Sequence, residues 1–487
     1  MSVARLTAKS SLWNLASNLG QQILNFLFFV YTARLLEPSA FGLMALALVF
    51  VDTFAVLGRG GLVEASVQRE RVSDELQNQI FWFLQLVGLS ASLALYVGAF
   101  GLANAFGHPE LADALRWLSP VCLLLNASAV PEARLQREFG HDAIARSTLW
   151  GVTTGGVVGV IAAFQGYGVL ALVFQKLASV VVQCALMWRQ ESWRPGAPSL
   201  TFARELRQLL RMGLEVTSAN LVLMLNSKLM DLLVGLFLGP TMLGYLRTAW
   251  RCFELVLHVC VDPLANVSLV TFSRVRDDHG RLVSAYARMV EIAAITIFPV
   301  FFGLSAIAPL AIPLVFGEQW APSAPLVQAL SLIAIAGTPN PFFVPMMTAT
   351  NNTRRLTLQS MIHVVISILL TATMSPLGVM AVAWAQVVRA TAMTGVSLWM
   401  MRESVGISYE TTWRAMRPAL LAAGAMGVAV AWFLQSNALA PLTGWPLLTA
   451  LIALGGVIYA AALLLGFPRE VAQRWQEARE MLRGRAA

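Results

Sequence analysis

The chain has 487 residues, of which 57% are hydrophobic and 12% charged, and its mean hydropathy is +0.67. That charge content is about half the soluble-domain average, which excludes a soluble enzyme. The net charge of +8 does not point to nucleic acid, because the arginines are spread over loops and a C-terminal tail. About 20 apolar residues cross a bilayer, and the sequence supports fourteen such spans: 12–36, 40–63, 80–104, 111–131, 145–166, 168–188, 211–238, 241–273, 287–316, 322–350, 355–375, 377–401, 414–435 and 444–466. Span 1 is too long and too rich in amides for a cleaved signal peptide and is expected to be retained. The eighth and ninth are long enough to require tilt or extension past the membrane.

Lys and Arg favour cytoplasmic loops, and here they alternate. Arg5 and Lys9 precede span 1, Arg69 and Arg71 follow span 2, Arg134, Arg137 and Arg146 follow span 4, and Arg189 and Arg194 follow span 6. The pattern continues with Arg274 and Arg276 after span 8, Arg354 and Arg355 after span 10, Arg402 after span 12, and Arg469 to Arg485 after span 14. The intervening loops, around His108, Gly166, Glu318, Pro376 and Asn437, carry neither residue. Both termini are therefore expected in the cytoplasm, with residues 468–485 a surface helix against anionic lipids.

The stretch from Leu36-Glu37-Pro38 to Phe41-Gly42 returns 202 residues later as Leu238-Gly239-Pro240 to Leu243-Gly244. The register also pairs Asn18 with Asn220, Ala47 with Ala249, Asp52 with Glu254, and Ser66 with Ser268. Duplicated bundles that rock about a shared site are an architecture of alternating-access transporters. The expected division is 1–200 for spans 1–6, 201–410 for spans 7–12, 411–467 for spans 13 and 14, and 468–487 for a basic cytoplasmic tail.

Polar residues fall on four helical faces. On span 8, Arg247, Arg251, Glu254, His258 and Asp262 are spaced by 4, 3, 4 and 4, which confines them to one side of a helix. Span 7 carries Asn220, Ser227, Lys228 and Asp231; span 1 carries Asn14, Asn18, Gln21, Asn25 and Thr32; span 2 carries Asp52 and Arg59. Ionisable side chains are expensive in contact with lipid, so these faces are expected to line a central cavity. Lys228 with Asp231, and Arg251 with Glu254, also fit simple i,i+3 neutralisation. Arg34 has the reach to snorkel at the outer end of span 1. Arg116, Lys176, Arg389 and His363 stand alone within spans and read as packing or interface residues. Prolines 299, 309 and 313, and 339, 341 and 345, are expected to bend spans 9 and 10. Cys122, Cys184, Cys252 and Cys260 lie in spans without metal-ligand spacing and read as packing thiols. Gly151, Gly155 and Gly159 form a small-residue packing face rather than a nucleotide motif. Within the spans, Lys176, Lys228, Arg247, Arg251 and Arg389 outnumber Asp52, Asp231, Glu254 and Asp262, which favours an anion bearing several oxygens.

The opening pattern Ser11-Leu12-Trp13 through Arg34-Leu35-Leu36-Glu37-Pro38-Ser39-Ala40-Phe41-Gly42, its return at Leu238-Gly239-Pro240, and the paired Gly168-Val169-Leu170-Ala171 and Gly378-Val379-Met380-Ala381 resemble the Wzx-type polysaccharide flippases of the multidrug/oligosaccharidyl-lipid/polysaccharide exporter superfamily. The resemblance covers essentially the whole chain. It implies an all-α integral membrane protein with about 14 transmembrane helices, two parallel-repeat six-helix lobes in a V, and two C-terminal helices. The implied activity is movement of undecaprenyl-diphosphate-linked oligosaccharide to the outer leaflet of the bacterial cytoplasmic membrane. Expected substrate contacts are Lys228, Arg247, Arg251, Asn18, Asn25 and Asn220, with H+ or Na+ coupling at Asp52, Asp231 or Glu254 left open. No catalytic residue, metal or organic cofactor is expected. Partners are membrane lipids and the lipid-linked oligosaccharide, with a polymerase and export machinery as further candidates; a monomer and no nucleic acid are expected. Rival readings are a peptidoglycan-precursor flippase, a drug or cation antiporter, and a membrane glycosyl polymerase, the last disfavoured by outer loops no longer than about a dozen residues.

Overall fold

The computed structural model describes residues 20–59, 62, 73–138, 140–198, 204–436 and 442–468. Asn14 and Asn18 lie outside the described residues, as do the side chains of Arg59, Asn220 and Ser227. Among the described residues every regular element is helical. Eleven helices are long and apolar enough to cross a membrane, or twelve if the bent pair Ser323–Gly337 and Asn340–Ala349 is one span. By compactness the chain divides into two units, Met1–Arg247 and Thr248–Ala487. Residues 201–247 thus join the first unit, whereas the sequence division placed them in the second lobe.

In the first unit, α1 (20–35) leads into α2 (Pro38–Arg59), α3 (Asp74–Phe106) and α4 (Glu110–Ala127), which resumes after Ser128 as α5 (Ala129–Arg137). A pair of helices, α6 (His141–Phe164) and α7 (Val169–Gln190), follows, and α8 (Arg204–Cys260) leaves the unit. Helix α3 starts where the Ser73 hydroxyl accepts from the Leu76 N–H at 3.2 Å, with Asp74 and Glu75 in the positive first turn. It packs on α4, and α2 lies against α3, α4 and α7. Helices α6 and α7 meet along the expected glycine face: a Cβ on Gly151 would sit 2.7 Å from the Ser179 carbonyl oxygen, and one on Gly159 equally close to Gln175 Cβ. Only glycine permits that approach. The segment after α7 is strapped to α3 by Trp82 Nε1 donating to Gly196 O at 3.0 Å and Asn78 Nδ2 to Ala197 O at 2.9 Å.

The second unit repeats the plan. Helix α9 (Asp262–Val275) is followed by α10 (His279–Phe316), the broken segment α11 (Ser323–Ser331), α12 (Ile333–Gly337) and α13 (Phe343–Ala349), and the pair α14 (Thr353–Met374) and α15 (Val379–Val405). Two further helices, α16 (Tyr409–Gln435) and α17 (Gly444–Gly466), pack on α10. Positive-φ glycines mark equivalent joints, Gly107 (φ 72°) with Gly317 (φ 107°) and Gly168 (φ 56°) with Gly378 (φ 109°). The prolines divide by context. Pro299, Pro309 and Pro313 sit inside α10, which continues through all three, whereas Pro339 and Pro341 lie at the 46° bend of span 10. There the missing N–H groups coincide with a 3₁₀ turn at Asn340–Phe342, which satisfies part of the interrupted ladder.

Candidate functional site

The repeated motif fixes the site. Pro38 and Pro240 each open a helical arm, where a missing N–H costs nothing and the fixed φ suits the first turn. Gly239 supplies the break in α8, at φ 79° and ψ 173°, a region open to glycine and poorly accessible to other residues. One turn into each arm stands the motif glycine, and the two motifs are built against each other. A Cβ on Gly42 would overlap the Pro240 carbonyl oxygen, and one on Gly244 would overlap that of Pro38. The crossing is reciprocal, and it brings α2 and α8 together at the backbone.

Two ion pairs sit along the arms that leave this crossing. Asp231, with no solvent exposure, is paired with Arg247. Its side chain lies nine residues before Pro240, about 13 Å along the helix, and Arg247 lies seven residues after it, about 10 Å. Deeper by several ångströms, Lys228 Nζ is 2.7 Å from Asp52 Oδ2, at side-chain exposures of 20% and 34%. The i,i+3 pairing of Lys228 with Asp231 suggested by spacing is not the one formed; each charge instead bonds across a helix boundary. Opposite charges at complementary distances from the two motif prolines are the sequence signal for this arrangement.

On α1, Gln21 and Asn25 are half-buried and Thr32 is buried, its hydroxyl donating to Phe28 O at 2.9 Å. Ile23, Leu27 and Tyr31 form the exposed stripe on the other side of that helix. Farther along α8, Arg251 and Glu254 are half-buried. His258 Nδ1 lies 2.7 Å from Asp262 Oδ2, which closes the stripe at the start of α9.

A second polar constellation was hidden by treating Arg389 and His363 as solitary. Arg355, Gln359, His363, Ser367 and Thr371 recur every fourth residue on α14, a stripe legible by helical period. It faces α15: Arg355 bonds Glu403 Oε2 at 3.0 Å, Gln359 donates to Ser397 Oγ at 3.3 Å, and His363 Nε2 meets a guanidinium nitrogen of Arg389. Arg389 Nε also donates to Gln386 Oε1 at 2.7 Å. Arg116, the other lone basic residue with described contacts, sits over the Phe100 ring at 4.0 Å and the Tyr96 ring at 5.5 Å, as an interface residue would.

Repeated apolar helices and charge pairs held inside the helical bundle define a multi-pass membrane protein with a transporter fold. The solved structures agree. The lipid II flippase MurJ in an inward closed conformation superposes with a TM-score of 0.75 at 14% identity, covering 94% of this chain and all of that one. A multidrug resistance MATE family transporter of the MOP superfamily, facing inward, gives 0.59 at 17% identity, covering 83% and 95%. Residues 32–325 match the polysaccharide biosynthesis protein family, and the chain belongs to it. Among its relatives are the succinoglycan biosynthesis transport protein ExoT of Rhizobium meliloti, 26% identical over 95% of this chain and 93% of that protein, and the lipopolysaccharide biosynthesis protein WzxC of Escherichia coli, 23% identical over 62% of each.

Proposed function

We propose that this protein flips undecaprenyl-diphosphate-linked oligosaccharide across the bacterial cytoplasmic membrane for the synthesis of an exported polysaccharide. The observation that carries this reading is the end-to-end relationship to a succinoglycan transport protein, within a family defined by polysaccharide biosynthesis. The succinoglycan relative is named as a transport protein and the structural neighbours as a flippase and a transporter, which supports the reading of a transporter rather than an enzyme. The alternation of loop arginines supports a cytoplasmic position for both termini.

The charge pairs suggest how the head group is handled. Lys228, Arg247 and Arg251 are the cations offered to diphosphate or acidic sugar, with Asn18, Asn25 and Asn220 for hydroxyl groups. Lys228 and Arg247 are held by Asp52 and Asp231 in this structure. An anion reaching Lys228 therefore displaces Asp52, and a proton or Na+ on Asp52 releases Lys228. That exchange links cation uptake to head-group binding, because each event removes the other's competitor. Glu254 is available for the same role on the repeat-related helix. Arg247 is harder to free, since Asp231 has no solvent to turn to.

Gene deletion tests the reading. Cells lacking the protein are expected to accumulate lipid-linked oligosaccharide on the cytoplasmic side and to lose surface polysaccharide. The MurJ-like fold supplies the second reading, a peptidoglycan-precursor flippase. Rescue of cells depleted of lipid II flippase, with surface polysaccharide unchanged by the deletion, would replace the first reading by the second.

A further inference from the structure

The two units differ at one structurally equivalent place. In the first, Gly151 and Gly155 of α6 close directly onto Ser179 of α7, leaving room for no side chain. In the second, the corresponding helices α14 and α15 carry His363 against Arg389. The equivalence is set by geometry: His363 contacts Arg389 as Gly151 contacts Ser179, and Arg389 follows Gly378 by the same eleven residues that separate Ser179 from Gly168. A seam of glycines in one half is a polar seam around a cation in the other.

Position makes that cation expensive. His363 is the eleventh residue of α14 and Arg389 the eleventh of α15, each about 15 Å of helical rise from the nearer loop and so near the middle of a bilayer. Among the described residues, Arg389 has no carboxylate partner; its contacts are Gln386 Oε1 and the His363 ring. Both are neutral acceptors, since a ring nitrogen receiving a guanidinium proton carries none of its own. A guanidinium has five N–H bonds, and these two contacts use two of them. Among the described residues the other three donors on this mid-membrane cation have no partner, and intramembrane charges of this kind mark substrate paths.

We propose that this seam is an oxyanion site: Arg389 presents its uncommitted N–H edge to a phosphoryl or carboxylate group, Gln386 fixes the guanidinium, and His363 is the neutral acceptor that the anion displaces. The inference rests on the reading of the substrate as an anionic head group, and it adds a station in the second unit distinct from Lys228 and Asp52. Planar, bidentate oxygen pairs fit the guanidinium edge, whereas the hydroxyls of a neutral sugar leave its charge unanswered.

The test uses the full chain in lipid nanodiscs and equilibrium binding of radiolabelled inorganic pyrophosphate and, separately, of glucuronate, which distinguishes a phosphoryl from a carboxylate ligand. The wild type is expected to bind at least one probe, and Arg389→Gln to weaken that binding at least tenfold. The double change His363→Gly with Arg389→Ser copies the glycine seam of the first unit; it is expected to keep the wild-type melting temperature and to lose the binding. Should that variant not fold, Arg389→Lys against Arg389→Gln carries the comparison, since binding that survives only in the lysine variant follows the charge. Absence of binding to both probes by the wild type, or equal binding by wild type and variants, overturns the proposal. Polysaccharide export scored in the same strains separates the two readings. Export by both wild type and seam variant, with equal binding, leaves the flippase standing and the seam as packing. A wild type that supports no export sinks the flippase whatever the seam binds.

Discussion

Removing Arg247 should be far more damaging than removing Lys228, although both are one cation of one ion pair. Asp231 has no solvent exposure, so Arg247→Gln leaves a buried carboxylate without the counter-charge that Arg247 supplies. Breaking a buried pair in this way costs about 3–5 kcal/mol, which at about 1.4 kcal/mol per decade is a shift of roughly 10² to 10³·⁵ in the folding equilibrium. The double change Asp231→Asn with Arg247→Gln replaces the ions by a neutral amide pair of similar shape and is expected to recover most of that loss, because replacing a buried pair is often close to neutral. Asp52 is 34% exposed and Lys228 20%, so water compensates either partner when the other is removed; Asp52→Asn or Lys228→Gln should change stability by about 1 kcal/mol or less. Detergent-solubilised protein unfolded by heat or by increasing denaturant, followed by fluorescence-detected gel filtration, ranks the four variants. Equal loss from Arg247→Gln and Lys228→Gln, or a double variant no better than Arg247→Gln alone, would refute the reasoning.

The Pro–Gly crossing gives a second expectation: Gly42→Ala and Gly244→Ala each drive a methyl into the opposing proline carbonyl and should lower stability by about 1–3 kcal/mol, whereas Gly98→Ala, with nothing within 4 Å, should be neutral or gain up to about 1 kcal/mol in helix propensity. Thiol labelling in a cysteine-free background tests the water-accessible site. Asp52→Cys should react with a small hydrophilic reagent and Leu46→Cys, fully buried, should not, and equal rates would remove the site from water. In the native chain Cys122, Cys184 and Cys252 are buried and should label slowly in the folded protein and fully only on unfolding. Reporter fusions at Gly107 and Gly317 should report the outside and fusions at Gly140 and Gly280 the inside; inversion of either pair would break the parallel repeat.

Much of this was legible in the sequence because a membrane leaves few options. Runs of apolar residues become helices, and the offset motif announces a duplication, which the structure carries down to the matched glycines at Gly107 and Gly317 and at Gly168 and Gly378. The candidate ionisable residues Asp52, Lys228, Asp231 and Arg247 were also legible, since their charges stand out against an apolar background. Their pairing was not. Spacing along one helix offers Asp231 to Lys228, but the break at Gly239 folds α8 so that Asp231 meets Arg247, and the crossing at Gly42 swings Asp52 to Lys228. The seam of α14 and α15 was missed for a related reason: Arg389 and His363 are solitary each on its own helix, and only the packing of the two makes them a pair.

Transbilayer movement in a defined system bears most directly on the function. Purified protein is reconstituted into liposomes carrying undecaprenyl-diphosphate-oligosaccharide from the producing cell, and the fraction of head group exposed to an impermeant glycosidase is followed with time. The expected result is exposure beyond the half that initially faces out, at a rate that rises with protein and falls in the Lys228→Gln variant, with lipid II moved more slowly. Exposure that stays at the protein-free level, or lipid II moved as fast as the oligosaccharide-lipid with no effect of Lys228→Gln, would contradict it.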